Sequence, residues 1–147
     1  ARSNLMWASS WAINDFIKLG KEEAWTVHPM EHELSAYYDI THGVGLAILT
    51  PHYFEFILDN TTVDKFCEFA HNVWEIPYEE DKYQMAQKGI DALKEFFEKL
   101  HIPKTLEEVG ISEEYFDEMA QKASSRLKGA YRELTKEEVK QIYQRAL

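Results

Sequence analysis

Apolar residues along this chain recur at steps of three and four, and no alternating run of strand type stands out. Tyr83, Ala86, Ile90, Leu93, Phe97 and Leu100 make a continuous helical stripe, and Val63, Phe66, Cys67, Ala70, Val73 and Trp74 make another. Breaks fall at Gly20, at Pro77 within Glu75-Ile76-Pro77-Tyr78, and at Pro103. Thr105 with Glu108 and Thr135 with Glu138 have the spacing of a capping box, the second opening the longer helix. Ser112 before Glu113 and Glu114 reads as another helix start. From Val44 through Leu58 the chain is apolar almost all round, which predicts a buried helix, and Pro51 within it predicts a kink or break near Leu49. The pattern predicts an all-α bundle of about seven helices over residues 1–147, in a single domain without internal repeats.

The chain opens abruptly. Ala1-Arg2-Ser3-Asn4-Leu5-Met6-Trp7 runs without an initiator Met into an apolar helix expected to end near Leu19, with Trp7 and Trp11 one turn apart. That opening favours the C-terminal part of a longer protein. With 147 residues, 45% of them hydrophobic, the chain is long and apolar enough to fold around its own core. The net charge of -10 opposes nucleic-acid phosphates and anionic membrane surfaces, and no apolar run approaches spanning length. Cys67 is the single cysteine, so no internal disulfide forms, and a reducing, cytoplasmic location is expected.

Three of the six histidines, His28, His32 and His42, fall within fifteen residues. His28 and His32 share a helical face if the segment is helical, although Pro29 biases His28 away from helical geometry. A break over Asp39 to Thr41, with Thr41 as N-cap and His42 opening the next helix, allows an antiparallel turn to bring His28 and His42 together. Two neutral imidazoles suit zinc or ferrous iron but are too few for a tight site. Spacing alone leaves open the plainer reading of surface or satisfied core histidines. That reading is the preferred one for His71 and His101, and His52 is likewise unclustered. Gly43 and Gly45 lack the preceding strand and third glycine of a dinucleotide fingerprint, so close backbone packing explains them better.

His28-Pro29-Met30-Glu31-His32-Glu33-Leu34-Ser35-Ala36, followed by Thr41-His42-Gly43 and Leu46-Ala47-Ile48-Leu49-Thr50-Pro51, resembles the signature of the iron-containing (group III) alcohol dehydrogenases, nearest the butanol dehydrogenase branch. Asn4-Leu5-Met6-Trp7-Ala8 resembles the helix that precedes it there. The resemblance implies that the whole chain is that family's C-terminal helical domain and that His28 and His42 are two of four ligands to a divalent metal, Fe2+ or Zn2+. It implies a catalytic and cofactor-facing role for His32, beside the metal and near the nicotinamide. The implied reaction is reversible hydride transfer between an alcohol and NAD(P), with a primary alcohol or aldehyde as substrate. The implied partners are an N-terminal domain that binds most of NAD(H) or NADP(H) and a second subunit in a homodimer. The Asp-x-x-x-His pair that supplies the other two ligands is absent from this sequence, as is the nucleotide-binding domain, so these 147 residues alone are expected to be inert.

Two readings compete. His28-Pro29-Met30-Glu31-His32 also fits the H-x-x-E-H pattern of inverted zinc peptidases, with Glu31 as general base, but that leaves His42 unexplained. A helical interaction module without chemistry is the other, its tryptophans and tyrosines forming a partner surface. In a dehydrogenase fragment the first helix and the His28–His42 face are instead expected to line an interdomain cleft.

Overall fold

The computed structural model describes residues 1–21 and 25–147. Among these it holds seven α-helices and no strand, as the periodicity predicts: α1 (Arg2–Ile13), α2 (Val27–Tyr38), α3 (His42–Ile57), α4 (Val63–Trp74), α5 (Lys82–Lys99), α6 (Phe116–Ser124) and α7 (Lys136–Arg145). Three 3-10 turns, Phe16–Lys18, Glu107–Val109 and Glu113–Tyr115, join them.

Local chemistry explains most boundaries. Thr135 and Glu138 form the reciprocal capping box that opens α7, and Asp81 caps α5 by accepting from the Gln84 N–H. Asp39 takes a left-handed conformation, φ 53°, to close α2 and turn the chain toward α3. Thr41 occupies the N-cap of α3, but through its carbonyl, which accepts from the Val44 N–H; its side chain makes no cap bond.

Four expectations about where helices start, stop or break need correction. The first helix ends at Ile13 rather than near Leu19, because the Asn14 side chain accepts the Phe16 N–H and Asp15 goes left-handed at φ 66°. Pro51 does not break α3, which runs through it; the Pro ring removes one donor, and the Thr50 hydroxyl donates to the Leu46 carbonyl beside it. Pro29 does not keep His28 out of the helix either. It sits in the first turn of α2, where its missing N–H removes no helical bond. The segment after Ser112 begins as a 3-10 turn, and Ser112 makes no cap bond.

The core gathers one face from each of α2 to α7. Met30, Leu34, Leu49, Ile90, Phe116, Met119, Ile142 and Tyr143 are all fully enclosed. The stripe on α5 is centred differently from its sequence reading: Met85, Ala86, Gly89 and Ile90 are buried, while Tyr83 and Leu100 at its ends are exposed. Gly89 shows why. A Cβ there would lie 2.8 Å from the Ala70 Cβ and 3.0 Å from its Cα, so α4 and α5 touch almost backbone to backbone. Gly89→Ala is therefore expected to destabilise the fold by about 1–3 kcal/mol, despite the ~1 kcal/mol that Ala gains over Gly in a helix. Chemical denaturation measures it, and a stabilised variant would contradict this packing.

Helix α1 is different, with no buried residue. Leu5, Met6 and Trp7 are exposed, and Trp7, Trp11 and Phe16 pack edge to face at 5.7 and 5.0 Å between ring centres. No helix of the described residues is long and apolar enough to cross a membrane.

Candidate metal centre

Helix α2 carries the first two histidines and is tied down from several sides. The Tyr143 hydroxyl of α7 donates to the Met30 carbonyl at 2.8 Å, between His28 and His32 in sequence. Arg126 pairs with the buried Glu33 carboxylate, and Tyr37 and Tyr38 donate to Glu118 and to the Ser112 carbonyl. These anchors hold the histidine face of α2 against the start of α3.

The Asp39 turn brings the three imidazoles to one corner. Ring centres of His28 and His42 are 5.3 Å apart, those of His32 and His42 5.3 Å, and those of His28 and His32 6.0 Å. His28 is half-buried, while His32 and His42 are exposed. Burial holds the His28 imidazole below the ordinary histidine range. The His42 and His32 rings push the same way, against the Glu31 carboxylate. A histidine that stays neutral near pH 7 is in the form that donates to a metal.

Glu31 belongs to the same corner from beneath. It is fully buried; one carboxylate oxygen takes His42 Nδ1 and the other accepts from the Ser35 hydroxyl at 2.5 Å. One ligand-type atom each from Glu31, His32 and His42 lies within 4.8 Å of the others. The sequence reading placed Glu31 only as a peptidase base and missed this contact. A general base needs an oxygen open to water, whereas this one faces inward onto two partners. Trp25 was also missed; it stands edge-on to His28 at 4.5 Å, and its position three residues upstream was the available signal.

His28 also walls an apolar cleft of about 770 Å³ with Trp25, Tyr53, Phe54, Phe66 and Phe69. The other histidines lie elsewhere. His52 lines a smaller hollow with Lys94 and Phe97, and burial lowers its pKa. The His71 ring contacts the Ile76 carbonyl at 3.0 Å, and His101 follows α5 on the surface.

This corner suits a divalent metal in its donor chemistry: two or three imidazoles, a carboxylate behind them and an apolar cleft alongside. The model of the "Fe-containing alcohol dehydrogenase family, C-terminal" matches residues 1–147. NADH-dependent butanol dehydrogenases A and B of Clostridium acetobutylicum are 49% and 51% identical to the chain, over 99% and 100% of its length. The crystal structure of NADH-dependent butanol dehydrogenase A from Thermotoga maritima superposes with a TM-score of 0.85 at 31% identity, covering 99% of this chain and 38% of that one. The chain spans 38% and 39% of the two clostridial relatives.

Proposed function

Since the chain belongs to the Fe-containing alcohol dehydrogenase family and matches its C-terminal part, we propose that it is the metal-binding domain of an enzyme that interconverts a primary alcohol and its aldehyde with NAD(H) or NADP(H). The meeting of His28, His32 and His42 over the buried Glu31 carries this reading.

His28 and His42 are the side chains that would hold iron or zinc, the remaining ligands coming from residues outside this chain. Such an ion supplies Lewis acidity at the substrate oxygen, and a nicotinamide held mainly by an N-terminal nucleotide-binding domain supplies the hydride-accepting ring. His32, exposed at the same corner, is assigned to hold or relay the hydroxyl proton at an imidazole nitrogen. The aromatic wall beside His28 takes the alkyl part of the substrate and keeps water from it. A homodimer in the cytoplasm completes the reading.

A second reading has one observation in its favour: a donor atom of His32 lies within 4.8 Å of donor atoms of Glu31 and His42. One experiment separates the two. The full gene product, stripped by chelator, is expected to lose NAD(P)H-linked butyraldehyde reduction and to recover it with Fe2+ or Zn2+. His28→Ala is expected to lose bound metal together with activity, and His32→Ala to keep metal while turnover falls. The reverse pattern moves the ligand role to His32. Failure of any reconstituted form to reduce an aldehyde overturns the dehydrogenase reading.

A further inference from the structure

We propose that Glu31 is a positioning residue for His42, holding the ring by Nδ1 so that Nε2 is presented as the donor atom; the inference rests on the reading of His42 as a metal ligand. His42 is the first residue of α3, and its side chain is 47% exposed, so packing alone does little to fix its ring. What fixes it is the contact from Nδ1 to a Glu31 oxygen, with Nε2 left on the far side of the ring. The carboxylate itself is constrained, because Ser35, one turn along α2, donates to its other oxygen. A carboxylate accepting from the Nδ1–H selects one tautomer of the neutral imidazole and strengthens Nε2 as a donor.

The space for this carboxylate is made by Gly45. A Cβ at that position would lie 2.8 Å from Glu31 Cγ and 2.9 Å from its Oε1, so a side chain there would push the carboxylate away. Glu31 therefore lies against the first turn of α3, which has no acidic residue of its own. The positive end of that helix dipole favours the buried negative charge. With each oxygen already engaged and the residue fully enclosed, Glu31 acts behind the donor atom rather than as one.

The test uses the full gene product with 15N-labelled histidine. In the metal-free wild type, the neutral His42 ring is expected to carry its proton on Nδ1, and a proton on Nε2 overturns the proposal. Zn2+ affinity, measured against a chelator, is expected to fall about 10–100-fold in Glu31→Ala, with the tautomer preference lost. Glu31→Gln, whose amide oxygen still accepts from Nδ1–H, is expected to keep the tautomer and lose less affinity. A folded Glu31→Ala that binds Zn2+ like wild type overturns the proposal, and where that variant does not fold, the wild-type tautomer decides. His42→Ala is the separate control: undiminished Zn2+ affinity there removes the ligand reading itself, whatever the Glu31 variants do.

Discussion

Changing His42 to Ala is expected to lower kcat/KM for NAD(P)H-linked aldehyde reduction by the full gene product about a thousandfold or more, equivalent to about 4 kcal/mol of transition-state stabilisation. The expected loss is chemical rather than structural. The side chain is 47% exposed at the first position of α3, so its removal takes no apolar contact from the core. It does remove one of the two imidazoles assigned to the metal, and with it the Lewis acidity on which the proposed hydride transfer depends. A smaller structural cost accompanies the loss. Without the His42 ring the Glu31 carboxylate keeps the Ser35 hydroxyl but loses its contact to Nδ1, and under-satisfied buried acceptors cost about 1–3 kcal/mol. Measured together, kcat/KM, metal content and unfolding midpoint are expected to show activity and metal collapsing while the folded state survives. A variant that keeps full metal and wild-type turnover would remove His42 from the site.

The largest expected effect on stability is at Tyr143. Tyr143→Ala is expected to destabilise the fold by about 3–5 kcal/mol, the range for deleting a buried large side chain. The ring is fully enclosed and stacks on Phe116 with 5.2 Å between centres, joining α7 to α6. Its hydroxyl reaches across to the Met30 carbonyl of α2, so the same residue ties α7 to the helix that carries His28 and His32. Burial pushes the Tyr143 hydroxyl well above the ordinary tyrosine range, which keeps it a hydrogen-bond donor at any working pH. Tyr143→Phe separates the two contributions. Met30 lies within α2, whose own ladder also uses that carbonyl, so losing the hydroxyl alone is expected to cost only about 1 kcal/mol. Urea unfolding of both variants checks this, and a Tyr143→Ala that unfolds within about 1 kcal/mol of wild type would contradict the packing argument.

Much of the architecture was legible in the residues. Helical periodicity, the Thr135–Glu138 box and the Asp39 turn are local features, and the physics that makes them acts over one or two turns of chain. The same holds for the pairing of His28 with His42, since a short turn between two helices leaves few ways to arrange their ends. Misreadings arose where one local rule met another. Asn14-Asp15 outweighed the apolar run that continues to Leu19, because a side chain competed with the backbone for the Phe16 N–H. Pro29 was tolerated because the first turn of a helix leaves its N–H groups without partners in any case.

The sequence by itself determined the helical periodicity, the single cysteine, the acidic net charge and the clustering of three histidines within fifteen residues, because each depends on residue identity and short-range spacing. Only the tertiary structure decided that Glu31 is buried against His42 and Ser35, that Gly45 and Gly89 stand where two backbones or a carboxylate need the room, and that Trp25 and Phe54 share a cleft with His28. Those facts depend on which faces of separate helices meet. A glutamate on a helix reads as solvated until another element covers it, and a glycine reads as a weak point until its neighbour's distance is known.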